Sequence, residues 1–379
     1  MGRITPIALA VLLGAAASLH AQSVTLPPSG DNQKASITQH IGLVRVTIDY
    51  SSPDVTGPNG EDRRGKIWGT LVPYGIHDLG FNDRRGPWRA GANENTVFTV
   101  SHPVKIEGQR LAAGSYGLHM LAGEDEWTLI FSKNSTSWGS FTYDEAEDAL
   151  RVKVKPEKAP FREWLTYDFT DRRPDRATVA LWWEELRVPF TVTVEDIADI
   201  YISNLRNELR GSQGFSWQNL DAAAQYCLQN GRNLEEALRW SEASISMPFV
   251  GQANFTNYST KAQILEKLSR TAEAEKVMKA ALELPNALPG EIHQYGRRLL
   301  GQGDVKGALA VFQTNAKRFG DTWPVHVGLA RGYSAAGDYK TALKHAEIAV
   351  GQAPDPLNRR SLEAAIVKLK EGKDMNAGS

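Results

Sequence analysis

The sequence predicts two domains of different class in series, an all-β antiparallel sandwich followed by an all-α array of helical repeats. Three observations carry that prediction. Apolar residues often recur at every second position from Ile37 to Val194, where β-branched and aromatic types dominate. From Asn219 onward the pattern changes to Ala-rich helical periodicity, and Ala274, Ala308 and Ala342 stand 34 residues apart twice over. The length of 379 residues suffices for two ordinary cores, given typical domains of about 100 to 200 residues.

The chain opens with residues that read as an export signal. Met1 to Thr5 carry one positive charge, at Arg3, and Leu19-His20-Ala21 ends on a small residue. Between them, Ile7 to Ala17 form an apolar run shorter than the roughly 18 residues that cross a bilayer. The expectation is a signal peptide over 1–21, cut after Ala21, and an exported chain, periplasmic or extracellular. Gln22 follows the cut, so a lipid anchor on an N-terminal cysteine is excluded. No later stretch is apolar for long enough to be an integral membrane segment.

The β-sandwich is placed at 30–194. Val44, Val46, Ile48 and Tyr50 share one face of a strand, with Arg45, Thr47 and Asp49 on the other. Further strands are expected at Thr96–Val100, Ser115–Leu121, Trp127–Ser132, Ala149–Lys155, Trp164–Thr170, Thr178–Trp183 and Val188–Val194. They are separated by turn residues such as Glu107-Gly108 and Ala113-Gly114 and by no helices, which favours antiparallel pairing. Residues Ser51 to Asn95 break this rhythm with Gly, Pro, Asp and Asn throughout. The segment also carries Ile67, Trp68, Leu71, Val72, Tyr74, Phe81 and Trp88, apolar surface enough to pack as a cap over one end of the sandwich.

A linker helix is placed at 195–216, where Ile197, Ile200, Tyr201, Leu205 and Leu209 follow helical spacing. Repeats occupy 217–370, and a flexible tail 371–379. Gly303-Asp304 recurs as Gly337-Asp338, each between two helices, and small residues at fixed positions let paired helices approach closely. A looser copy precedes them at Gly231-Arg232-Asn233, with Ala237 three residues off the period. The single cysteine, Cys227, lies in an apolar helical stretch and reads as a small buried hydrophobe.

Two resemblances follow from these motifs. Arg331-Gly332-Tyr333-Ser334-Ala335-Ala336-Gly337-Asp338-Tyr339-Lys340-Thr341-Ala342-Leu343 and its period resemble tetratricopeptide repeats, arrays that usually bind peptides or proteins in a concave groove and have no catalysis of their own. In the β half, Tyr50-Ser51-Ser52-Pro53, Arg64-Gly65-Lys66-Ile67-Trp68-Gly69-Thr70-Leu71-Val72-Pro73-Tyr74-Gly75 and Trp88-Arg89-Ala90-Gly91-Ala92-Asn93-Glu94-Asn95-Thr96 resemble the bacterial family called domain of unknown function 2911. That resemblance covers roughly Ser36 to Val194 and implies no assigned activity. Gly57 to Asp62 and Ile76 to Pro87 depart from the compact family pattern as insertions at loop tips.

The candidate ligand-binding residues are Trp68, Tyr74, Trp88, Arg89, Asn93 and Glu94. Arg89 offers a planar fork of donors, Asn93 a donor and an acceptor, Glu94 an acceptor or base, and the aromatic rings a wall for a small polar ligand. Against this stands a structural arrangement in which Arg89 pairs with Glu94 and the tryptophans fill the sandwich end. Other chemistry is weakly signalled. Gly60 to Lys66 has P-loop spacing, but Ile67 stands where Ser or Thr should be and no strand precedes it. His40, His77, His102 and His119 are scattered, so no metal and no cofactor is assigned. Asp144, Glu145, Glu147 and Asp148 read as a solvated acidic face, and no Gly-x-Ser-x-Gly elbow occurs. A net charge of −1 without a polybasic run argues against nucleic acid as a partner. The favoured function is binding or scaffolding in the cell envelope, with a protein or peptide on the repeats. The rivals are an enzyme acting on carbohydrate with Glu94 as acid or base, and a purely structural assembly module.

Overall fold

A computed structural model describes residues 32–80 and 84–377. The signal peptide and Phe81 lie outside them. The chain divides into two compact units, one ending at Glu195 and the other beginning at Asp196.

Among the described residues the first unit holds twelve strands: β1 (Gln33–Ile41), β2 (Val44–Ser52), β3 (His77–Asp78), β4 (Arg85–Gly86), β5 (Thr96–Val100), β6 (Val104–Ile106), β7 (Gln109–Leu111), β8 (Gly114–Leu121), β9 (Trp127–Ser132), β10 (Asp148–Val154), β11 (Glu157–Thr170) and β12 (Arg176–Thr193). Six form one antiparallel sheet in the order β1-β2-β5-β8-β9-β10, four form a second in the order β11-β12-β6-β7, and β3 pairs with β4. β1 and β2 make a tight hairpin in which Ile37 faces Ile48, and Gly42 turns the corner at φ 58°, a conformation open to glycine. The two sheets meet through Phe98 of β5, Phe131 of β9 and Phe190 of β12, whose ring centroids lie 5.1 to 6.1 Å apart.

The sequence predicts two strands where β12 is one. Ala177, Val179, Leu181 and Trp183 are buried before Glu184, and Val188, Phe190, Val192 and Val194 after it, so the inward positions change from odd to even. Glu184 sits at φ 53° where the pairing with β11 shifts register. One extra residue in a strand moves every later side chain to the other face, and this bulge breaks the alternation that marks a strand.

The segment between β2 and β5 packs as a cap that bonds to both sheets. Trp88 and Met120 exchange backbone hydrogen bonds of 3.0 and 2.8 Å, while on the other sheet the Glu163 carbonyl accepts from Val55 N–H and Leu165 N–H donates to the Pro53 carbonyl of the cap. Beneath it four indoles cluster. Trp68 lies 5.9 Å from Trp88, 5.1 Å from Trp127 and 5.6 Å from Trp183, all edge to face, and Trp88 stacks on Trp183 at 6.2 Å. Not all the apolar cap residues join them. Ile67 and Val72 are buried, but Leu71 and Tyr74 are 48% and 42% exposed, a correction to the expected packing. Gly69 takes φ 79° beneath the Tyr74 ring, which lies over the backbone of its own turn.

The second unit holds ten helices among the described residues: α1 (Ile197–Glu208), α2 (Trp217–Asn230), α3 (Leu234–Ser246), α4 (Phe255–Lys267), α5 (Thr271–Glu283), α6 (Pro289–Gly301), α7 (Val305–Phe319), α8 (Trp323–Ala335), α9 (Tyr339–Gly351) and α10 (Pro356–Lys370). α2 pairs with α3, α4 with α5, α6 with α7 and α8 with α9, and successive pairs stack. The Gly-Asp motif makes the turn inside a pair. Gly303 and Gly337 end one helix at φ 84° and 82°, and the Asp304 and Asp338 carboxylates cap the next by accepting from Gly307 N–H and Thr341 N–H. Ala237, Ala274, Ala308 and Ala342 are all buried where paired helices touch. The three-residue offset of Ala237 has a local cause: eight residues, Met247 to Asn254, separate α3 from α4, where five, Leu284 to Leu288, separate α5 from α6.

Small residues also make room for one large one. A side chain added at Gly296, Gly328 or Gly332 would lie 2.3 to 2.8 Å from the fully buried ring of Phe312. α1 packs into the helical unit, with Ile202 in the same core cluster as Ala224, Cys227 and Leu238. Burial pushes the Cys227 thiol up to about 11, so it stays protonated and unreactive at neutral pH. The tail beyond α10 is not free, which corrects the expected flexibility of 371–379 as far as 377. Met375 is 5% exposed in the last core cluster, and Asp374 accepts a hydrogen bond from Ser334 at 2.6 Å. This segment covers apolar surface of α8, α9 and α10, with Met375 packed against Ala330, Ala342 and Leu369.

The cap depends on its indoles. Trp68→Ala is expected to cost about 2 to 3 kcal/mol, at or below the low end of the range for a large aromatic removed from a core, because Trp68 is only half-buried. Urea denaturation of the full chain measures it, and a loss under about 1 kcal/mol would show that the cluster does not hold the cap.

Candidate functional site

The six residues singled out from the sequence do not form one pocket. Trp88 and Arg89 line a cavity of about 400 Å³ in the cap, together with Arg63, Gly91 and Trp183. Trp68 stands behind this wall, in contact with Trp88 and Trp183. Tyr74 is on the surface of the cap and outside the cavity lining. Glu94 lines a different depression of about 390 Å³, beside Lys34, Asp49 and Ser51.

Nor do Arg89 and Glu94 pair. Glu94 binds Lys34 Nζ at 2.7 Å and accepts from Ser51 Oγ at 3.1 Å, contacts that hold its carboxyl below the usual range. A carboxylate so held is a poor proton donor at neutral pH. Arg89 Nη1 donates to the Asn93 carbonyl at 2.5 Å, and its guanidinium lies 5.0 Å over the Phe141 ring. Asn93 reaches that position at φ 57°, and its side chain accepts from Asn32 Nδ2 at 3.2 Å. Burial lowers the Arg89 pKa, yet a guanidinium remains charged throughout the physiological range.

Behind Arg89 lies a polar network that no sequence pattern marks. His119 on β8 is 2% exposed and bonds Ser140 Oγ through Nδ1 at 2.9 Å. Asn95 Nδ2 donates to Asn134 O at 3.0 Å and Ser137 Oγ at 2.8 Å. Tyr143 donates to Asp148 at 2.8 Å, and Arg151 pairs with the same carboxylate at 2.6 Å. Asp148 therefore leaves the solvated acidic face expected for it, its side chain being only 8% exposed. These bonds fasten the segment between β9 and β10 to the sheet. Only the fold brings these residues together, since Asn95, His119 and Ser140 sit in three separate stretches of chain. The P-loop-like run is likewise a fastening: Gly65 N–H donates to the Glu184 carboxylate at the β12 bulge, and Arg64 folds back on Asp62 at 2.8 Å.

The helical unit carries a larger depression, about 940 Å³, along α2, α4 and α6. Its lining is rich in amides. Gln229, Gln294 and Gln302 line it and make no side-chain hydrogen bond among the described residues, whereas Gln263 bonds Ser259 and Gln225 bonds Asp221. Phe255 and Tyr295, 6.4 Å apart, give it an aromatic floor, and Arg298 lies 5.1 Å over the Tyr295 ring.

Comparison with known proteins bears on both halves. Residues 32–192 match the family described as Protein of unknown function (DUF2911). The motif resemblance thus extends over the β-rich half, and the cap, its cavity and the His119 network all lie within the matched residues. Among solved structures, a thermophilic TPR protein of Thermus thermophilus is 18% identical with a TM-score of 0.31, covering 45% of this chain and 91% of its own. The C-terminal part of a TPR repeat-containing protein from Cytophaga hutchinsonii is 16% identical with a TM-score of 0.34, covering 48% and 72%. YrrB, described as a TPR protein with an unusual peptide-binding site, is 16% identical with a TM-score of 0.30, covering 44% and 84%. No curated protein matches the chain.

The buried histidine gives a pH dependence. Burial, and secondarily the Arg89 charge, lowers the His119 pKa from 6.5 to about 4. The unfolded chain therefore takes up a proton near pH 6.5 that the folded chain refuses until about pH 4, so stability is full above 6.5 and falls as pH drops through that window. The loss from this residue by pH 4 is about 3 kcal/mol. Denaturation of wild type and His119→Gln at pH 7.5 and pH 4.5 checks it; an equal pH dependence in both would refute the assignment.

Proposed function

We propose that the chain is an exported binding protein whose helical unit takes an extended segment of a protein partner, and whose cap holds a small polar ligand. The observation that carries the first part is the groove along α2, α4 and α6, with three amide side chains free to bond a peptide backbone above an aromatic floor. Glutamine amides donate and accept together, which suits a backbone that offers both at every residue. The groove is also larger than the cavity in the cap.

Gln294→Ala together with Gln229→Ala is expected to weaken the partner peptide selected on a random peptide array by about tenfold, close to 1.4 kcal/mol for two lost hydrogen bonds. Fluorescence polarisation with the full chain measures it, and unchanged affinity would place binding elsewhere. Export is supported by the run Ile7 to Ala17 behind Arg3 and the small residue Ala21. Fused to an alkaline phosphatase that is active only outside the cytoplasm, residues 1–24 are expected to give activity that is lost on deleting 7–17. Equal activity from both fusions would reject a signal peptide.

The alternative of a carbohydrate enzyme with Glu94 as acid or base is the weaker reading, because Lys34 and Ser51 occupy both carboxylate oxygens. The assembly-module alternative draws support from the indole cluster but leaves the cap cavity without a role.

A further inference from the structure

The cavity in the cap has a composition of its own. Its lining is mixed: polar groups take the larger share, Leu71, Pro53 and Pro73 offer apolar surface, and Trp88 and Trp183, whose rings stack at 15°, back it almost wholly buried. Into these walls are set two cations, Arg63 and Arg89. Arg63 engages Glu61 through one terminal nitrogen, 2.6 Å away, and its side chain is 26% exposed. Arg89 spends one donor on the Asn93 carbonyl and has no carboxylate partner among the described residues. A guanidinium carries five N–H donors, so each cation keeps donors for a ligand. The opposing charge in the lining is Asp78, whose carboxylate already accepts from Gly80 N–H at 2.8 Å.

Two arginines beside exposed apolar side chains select for charge and body together. A carboxylate or phosphate meets the planar forks in charge-assisted hydrogen bonds about twice as strong as neutral ones. An apolar body gains by leaving water for the leucine and proline surfaces. A neutral sugar would satisfy neither requirement fully. We infer that this cavity binds a small organic anion, with its apolar body against Leu71 and Pro73 and its carboxylate or phosphate held by Arg63 and Arg89. The inference rests on the reading of the cap as a ligand site and adds the ligand's charge and shape.

Benzoate, phenyl phosphate and benzyl alcohol share a ring and differ in the head group. Their binding to the full chain is measured by quenching of tryptophan fluorescence and by calorimetry at low salt. Benzoate or phenyl phosphate is expected to bind at least about tenfold more tightly than benzyl alcohol, and the tighter of the two identifies the head group. Arg63→Gln is expected to reduce anion affinity about tenfold, and Glu61→Gln, which frees Arg63, to raise it severalfold. Arg63 is the residue to vary because Arg89 also fastens Asn93 and Phe141, so its loss would disturb the cap itself. If benzyl alcohol binds as well as benzoate and Arg63→Gln changes nothing, the anion inference falls while the cap remains a ligand site. If none of the three binds up to its solubility, both readings fall.

Discussion

The β-rich unit depends on the contact among Trp68, Trp88, Trp127 and Trp183. These indoles come from the cap, from β9 and from β12, so one cluster joins the cap to both sheets. Its energetics are mixed. Large aromatic area leaves water and the edge-to-face geometry is favourable, but the Trp68 and Trp183 indole nitrogens are buried without a hydrogen-bond partner among the described residues. An unpaired buried donor costs about 1 to 3 kcal/mol. The cluster therefore holds the cap by packing, and the backbone bonds between Trp88 and Met120 fix its register.

The polar counterpart lies on the far side of Arg89. His119 and Ser140 are buried and bonded to each other, Asn95 bonds through Nδ2 while its Oδ1 has no partner among the described residues, and burial keeps His119 neutral. Such groups specify a position only when their partners are in place, because each lost partner leaves an expensive orphan. Arg89 stands between the two environments. Its guanidinium packs on Phe141 while the residue lines the cavity beside Trp88. The Trp-Arg-x-Gly-Ala-Asn-Glu run thus serves three places: Trp88 joins the indole cluster, Arg89 the cavity lining, and Glu94 an ion pair with Lys34 of β1.

In the helical unit the governing constraint is close approach. Alanine at the repeated position and glycines around Phe312 bring paired helices together. The Gly-Asp turn reverses the chain by using a left-handed glycine and an aspartate cap at adjacent positions. Where the copy is looser, Gly231 keeps its left-handed turn at φ 61° but Asn233 supplies no side-chain cap. The repeat tolerates that loss because its burial persists, with Ala237 and Leu238 inside the core.

Local pattern alone determined the class of each half, most strand positions and the period of the repeats. Strand alternation and the Gly-Asp spacing are consequences of backbone geometry, which neighbouring residues encode directly. What escapes local pattern is set by contacts distant in sequence. The bulge at Glu184 hides the continuity of β12 because one residue inverts the pattern. Tyr74 has the chemistry of a pocket wall, yet its ring turns onto Gly69. Nothing local distinguishes Arg63 from other loop arginines, or Trp183 from other residues of an alternating strand, until the fold sets them beside Trp88. The sequence by itself determined the kinds of elements and the residue types available for binding; only tertiary structure decided which of them share a cavity, because no local periodicity encodes where the cap meets the sheets.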